Sequence, residues 1–200
     1  MATETDVAVE TFDLATTPRR ELNARLHALA GESEPQPAHW RVVNPSGAHA
    51  LAVGLDAPVT VEIEGHVGYY CAGMNKQAAV RVHGNAGVGV AENMMSGTVI
   101  VEGSVGHMSA FMAQKGALVV CGDAGDALGD SIYEAHLYVR GAVKGLGADC
   151  VEKELKDHHV AELRALLERA GVDDADPADF RRYGSARRLY NFNVDHAGEY

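Results

Sequence analysis

The sequence predicts an all-β core wound as a parallel β-helix, a solenoid of about 19 residues per turn, with flanking α-helices and an extended C-terminal tail. Three observations carry this. First, Gly65, Gly84, Gly103, Gly122 and Gly141 recur at one constant step of 19 residues, and Gly68, Gly87, Gly106 and Gly125 repeat that step, failing only at Lys144. Second, apolar columns keep the same step: Ile63, Val82, Val101, Val120 and Val139 stand two places before the first glycine, and Val61, Val80, Val99, Leu118 and Leu137 four places before it. Third, the chain holds 22 glycines but one Trp and four Phe, a composition for many tight corners rather than one aromatic nucleus.

Residues 1–40 read as an N-terminal arm with a short helix. Val7 to Leu14 mixes apolar and polar residues; Thr17 is placed to cap a helix that opens at Pro18, shows Leu22, Leu26 and Leu29 as its apolar stripe and stops at Gly31. A polar linker runs from Gly31 to Pro37. Residues 41–150 form the β-helix, with a degenerate first turn marked by Ala48, Leu51 and Val53.

In each unit, a strand alternates apolar residues with the mixed column Glu64, His83, Glu102, Cys121 and Arg140. A Gly-x-x-Gly corner follows, holding a third apolar column of Val67, Ala86, Val105, Ala124 and Val143. Small residues line the remaining bends: Ala72, Ala91, Ala110, Gly129 and Ala148 in one column, Ala78, Gly97, Gly116 and Ala135 in another. One such unit cannot bury its own apolar face, whereas stacked units place like above like at about 4.8 Å per turn. A β-sandwich has no reason to hold a 19-residue period, and a hexapeptide solenoid would show a six-residue sub-period, which is missing.

Open solenoid ends expose backbone groups and need caps. Residues 151–175 are expected to supply one as a helix begun by Asp149, with Leu155, Leu163, Leu166, Leu167 and Ala170 on one side and Gly171 as its stop; His158 and His159 are expected to face solvent. Arg41 to Val59 is expected at the other end. The tail, residues 176–200, carries Arg and aromatic residues in the run Phe180 to Phe192, the types that anchor interfaces. Two placements fit it: packed along its own acidic solenoid, or docked on a partner subunit.

Lys plus Arg total 17 against 28 Asp plus Glu, a net charge of −11, which disfavours nucleic acid and anionic membrane as partners. No apolar run approaches the roughly 18 residues of a membrane span. Met1 to Val9 is acidic and unlike a secretory signal, and the three dispersed cysteines, Cys71, Cys121 and Cys150, suit a reducing compartment, so a cytoplasmic location is expected.

No catalytic, cofactor-binding or metal-ligating residue is assigned. His66, His83, His107 and His136 fall at four different places in the repeat and form no ligand column. Gly87-Val-Gly89 and Gly145-Leu-Gly147 are superficially similar to dinucleotide loops but belong to the periodic array, with no helix after each cluster. Asp123, Asp126 and Asp130 crowd one turn, either as a cation site or as a solvated corner. An architecture without a self-contained reaction centre favours a scaffold over an independent enzyme.

The Gly-x-x-Gly corners at this step resemble the GXGXG domain, the right-handed β-helix that ends the large subunit of glutamate synthase and also occurs in the C-type chain of formylmethanofuran dehydrogenase. The likeness covers Ala57 to Asp149. The flanks Phe12-Asp-Leu, Pro18-Arg-Arg-Glu-Leu-Asn and the run from Arg182 to Gly198 are similar to the free-standing B-type chain of N-methylglutamate synthase (methylamine–glutamate N-methyltransferase). That resemblance implies a structural subunit binding no cofactor itself. An amidotransferase-like partner would carry a cysteine nucleophile, and a second partner would carry FMN and an iron–sulfur cluster. Alternatives are membership of another glutamate-synthase-like complex or of formylmethanofuran dehydrogenase, and a non-catalytic homo-oligomer.

Overall fold

The computed structural model describes residues 8–36 and 38–186. Its elements are β1 (Val9–Asp13), α1 (Arg19–His27), β2 (His39–Val43), β3 (Thr60–Ile63), β4 (Ala79–Val82), β5 (Thr98–Val101), β6 (Ala117–Val120), β7 (His136–Val139), β8 (Cys150–Lys153), α2 (Asp157–Ala170), a 3-10 turn (Pro177–Asp179) and β9 (Arg181–Ser185). The strands form one sheet in the order β1-β2-β3-β4-β5-β6-β7-β9-β8. Neighbours are parallel through β7. The expected period is the observed register: Ile63 pairs with Val82, Val82 with Val101, Val101 with Val120 and Val120 with Val139. Both inward columns are fully buried from β3 to β7.

The third apolar column also stacks, as single bridges from Val67 through Ala86, Val105 and Ala124 to Val143. The corner is glycine because successive turns touch there. A Cβ on Gly106 would sit 2.7 Å from the carbonyl carbon of Gly87, closer than side chains approach backbone. Lys144 stands where the coil tightens: Ala124 still pairs with Val143, a step of 19, but Leu128 pairs with Leu146, a step of 18.

The far side of each turn is held differently. Tyr70, Ala72 and Met74 have φ of 60°, 54° and 54°, and Met108, Ala110 and Met112 repeat this two turns on. Left-handed backbone at a non-glycine residue costs about 1–2 kcal/mol. Stacking fixes it nonetheless, because these N–H groups reach the adjoining turns: Tyr70 to the Val88 carbonyl at 2.8 Å, Ala72 to that of Leu51 at 2.9 Å, Met74 to that of Glu92 at 2.8 Å. The buried column of Ala72, Ala91 and Ala110 is alanine because it faces the full interior in this strained conformation.

The flanks depart from expectation in several ways. Residues 39–59 are a stacked turn rather than an end cap; β2 sits between β1 and β3. The cap on that side is α1, whose Leu22 and Leu26 close the interior. Its Asn23 donates to the Ala50 carbonyl at 2.8 Å and accepts the Val53 N–H at 3.4 Å, and His27 Nε2 lies 2.6 Å from the Val53 carbonyl oxygen. The cap residue of α1 is Pro18, one later than expected, and the helix ends at His27, before Gly31.

Asp149 does not begin the second helix: β8 intervenes and Lys156 is the cap residue. Nor does α2 close an end. Leu163, Leu166 and Leu167 lie on the outer face of the sheet, against Ile100, Val119, Cys121 and Tyr138. His159 is buried, not solvent-facing. Finally, the first part of the tail is structural: β9 runs antiparallel between β7 and β8 and completes the C-terminal end. The docking expectation for residues 187–200 lies outside the described residues.

The stack and its cap can each be tested by substitution. Leu118→Ala should lower unfolding free energy by about 2–5 kcal/mol, and Val120→Asp should abolish cooperative folding, as a buried unpaired charge rivals the whole stability. Urea melts of the two variants check this; a native-like melt for Val120→Asp contradicts it. Asn23→Ala orphans the capped groups of Ala50 and Val53 and should cost about 1–3 kcal/mol, read in the same melts.

Candidate functional site

The polar residues of the Gly-x-x-Gly corner form a ladder along the solenoid. His66 Nδ1 accepts the Asn85 N–H at 2.9 Å, Asn85 Oδ1 that of Ser104 at 2.8 Å, Ser104 Oγ that of Asp123 at 3.0 Å, and Asp123 Oδ1 that of Ala142 at 2.8 Å. Each side chain caps the turn above it. Asp130 does the same for Ala148 at 3.0 Å and accepts the Ser131 hydroxyl at 2.8 Å, while Asp126 accepts the Ala127 N–H and has Lys144 Nζ at 3.9 Å. The Asp123, Asp126 and Asp130 corner is therefore engaged in backbone capping. The signal was present in sequence as a column of acceptors, His66, Asn85, Ser104 and Asp123, that ends at Ala142. Among the described residues no three His, Cys, Asp or Glu side chains converge as a metal-ligand set.

The cysteines are separate and buried. Burial pushes the Cys71 thiol up to about 12, and Cys121 and Cys150 up to about 11 each, so all three stay protonated at neutral pH.

The outer face of the sheet changes along its length. At its N-terminal half it is charged: Arg41 pairs with Glu64, and Arg81 with Glu102, which also has His83 Nδ1 at 3.2 Å. At Ile100, Val119 and Tyr138 it becomes apolar, and α2 covers it there. Where α2 meets β7 a polar cluster forms. The Tyr138 hydroxyl donates to Glu162 Oε2, and His136 Nδ1 lies 2.8 Å from the same oxygen. Burial alone would raise the Glu162 carboxyl, but the bonds from Tyr138 and His136 outweigh it and hold Glu162 below the usual range. Burial, then the adjacent carboxylate, drives the Tyr138 phenol upward.

His159 accepts the Lys156 N–H at 3.2 Å through Nδ1, which places its proton on Nε2. Burial first, then Arg182, His158 and His136, lower its pKa to about 4. Open grooves flank α2. One of about 410 Å³ is bordered by Arg81, Thr98, Leu166 and Arg169, another of about 480 Å³ by Lys115, Glu134, His136 and Glu162.

The left-handed side of the turns carries exposed apolar residues: Tyr69, Met74, Val88, Met95 and Met112, with Tyr70, Met108 and Phe111 half-buried among them. Among the described residues no helix is long and apolar enough to cross a membrane.

These features define a class: a β-solenoid whose interior is closed by packing and whose corner acceptors are tied into stacking. Protein GlxC of Rhizobium meliloti (strain 1021) is 55% identical over an alignment of 227 positions that covers 94% of this chain and 99% of that relative. The chain belongs to the family of that protein, whose name states no activity. No family model and no solved structure matches the chain.

The buried His159 gives a pH prediction. Its folded pKa lies below the ordinary value of 6.5, so the unfolded chain binds the extra proton first as pH falls. Its contribution to stability is full above pH 6.5 and is lost as pH falls towards about 4. His159→Gln keeps an acceptor for Lys156 without the titration, and thermal melts between those limits should lose part of their pH slope; an unchanged slope contradicts the assignment.

Proposed function

We propose that this chain is the structural subunit of a heteromeric glutamate-synthase-like complex, and specifically of an FMN-dependent N-methylglutamate synthase. That enzyme exchanges the amino group: glutamate and methylamine give N-methylglutamate and ammonia. In this reading the chain binds no cofactor. A partner subunit of amidotransferase type and a flavin subunit with FMN and an iron–sulfur cluster carry the chemistry, and the solenoid holds them in register.

One observation carries the reading. The polar side chains of the corner, from His66 through Asn85 and Ser104 to Asp123 and Asp130, are bonded to the backbone of the next turn rather than gathered at one point. The resemblance of the corners to the GXGXG domain supplies the enzyme class, and membership in the GlxC family is compatible with it.

The test is purification of the tagged chain from cells that make it. The complex should contain an amidotransferase-like and a flavin subunit, show a flavin spectrum and form N-methylglutamate, whereas the isolated chain should be colourless and inactive. Flavin absorbance or turnover from the isolated chain would overturn the proposal.

A further inference from the structure

We propose that residues 154–180 form a strap that lifts off the outer face of the sheet in acid, released by charge gathered where α2 meets β7 and β9, and that its lifting uncovers Ile100, Val119 and Tyr138. This holds whether or not the chain serves as a subunit.

Topology permits the motion. Lys153 of β8 pairs with Arg182 of β9, so the chain leaves and rejoins the sheet at neighbouring positions. Between them the backbone bonds close within the segment: the His159 N–H reaches the Lys156 carbonyl, that of Val172 reaches Leu167, and that of Phe180 reaches Pro177. Among the described residues its hydrogen bonds to the solenoid all use a side chain: Tyr138 and His136 to Glu162, and Arg81 to the Gly171 carbonyl at 3.4 Å. The strap can therefore lift without breaking a ladder pair.

One half of its seat is apolar, with Leu163, Leu166, Leu167, Val172 and Phe180 in one cluster with Ile100, Val119, Cys121 and Tyr138. The other half gathers titratable groups from three elements. The His159 ring, 5% exposed, stands edge-on to His136 of β7 at 5.3 Å between centroids and 3.8 Å from that of His158. Arg182 faces them from β9; its Nε is buried with no partner among the described residues, and its Nη1 lies 3.4 Å from the Glu154 carbonyl. Lys153 is its strand neighbour, and Lys115 and Glu134 border the groove beside His136 and Glu162.

As pH falls, His136, His158 and His159 gain charge, and the Glu162 carboxylate faces Arg182 and three imidazolium rings. A charged His136 strengthens its own bond to Glu162, so that contact resists opening. His159 decides the outcome. Its Nδ1 accepts the Lys156 N–H, and protonation there turns the acceptor into a donor inside a buried contact. Burial first, then Arg182, His158 and His136, oppose that proton and hold the pKa at about 4. Lifting returns the ring to water and to 6.5, so the lifted strap binds the proton first. The closed strap is fully favoured above pH 6.5 and loses ground as pH falls towards 4.

Cys121 reports the motion, because it lies in the cluster under the strap while Cys71 and Cys150 belong to the interior. The full chain is labelled with a pyridyl disulfide that reacts in acid, and each rate is scaled to that of the unfolded chain at the same pH. Between about pH 7.5 and about pH 5, Cys121 labelling should accelerate about 10-fold or more while Cys71 and Cys150 keep their rates. His159→Gln should abolish that acceleration. Glu162→Ala leaves the Tyr138 hydroxyl without its acceptor and should speed Cys121 labelling about 10-fold at neutral pH.

Equal acceleration of all three cysteines is global unfolding and overturns the proposal. So does a flat Cys121 rate, an acid response that survives His159→Gln, or a Glu162→Ala variant that labels at neutral pH as the unmodified chain does.

Discussion

Everything in this fold depends on one constraint: each turn must present its backbone to the next at the same place, every 19 residues from β3 to β7. Register along β3 to β7 is fixed by it. So is the corner, where a Cβ on Gly106 would collide with Gly87. The left-handed residues on the far side are strained locally and held only because their N–H groups are taken by adjoining turns. A single turn in isolation has neither its hydrogen bonds nor its buried face, so stability belongs to the stack rather than to any unit.

A stack of this kind has two open ends, and the chain treats them differently. At the N-terminal end a helix supplies both an apolar lid, through Leu22 and Leu26, and polar groups, through Asn23 and His27. At the C-terminal end the direction of the sheet reverses, with β9 antiparallel to both β7 and β8. The two edge strands left over, β1 and β8, carry Glu10 and Asp13, and Glu152 and Lys153. Charges on an edge oppose end-to-end pairing between copies. The ends are thus built to stop the solenoid.

The inner columns were legible in sequence because they are periodic and because only apolar or small residues survive there. The flanks were less legible. Docking of α2 on the side of the sheet was written in Ile100, Val119 and Tyr138, an outward column that turns apolar from the third repeat onward. A helix whose own apolar stripe is clear does not say which surface it covers. His159 has the look of a solvent residue because its neighbour His158 is one; its burial follows from that docking. Strand β9 was hidden because Arg181, Arg182 and Tyr183 have the composition of an interface as much as of a strand, and its β7 partner lies far earlier in the chain. At the candidate surface the individual residues were visible but the backbone that projects them was not, since alanine and methionine in left-handed conformation break the usual expectation that glycine marks such places.

This division between inner and outer columns bears on how such a chain can serve an assembly. Inward positions and corners are set by packing, so variation there is resisted whatever the protein does. Outward positions are free of that demand, yet each is held on backbone bonded to the turns on either side. A side chain such as Tyr69 or Met95 is therefore presented at a fixed spacing without the loop-ordering entropy that a flexible surface loses on binding. Methionine suits such a row because its unbranched, polarizable side chain adapts to a partner while the backbone does not move. Rigidity in the stack and adaptability in the side chains are the two properties that the proposed scaffold role would draw on.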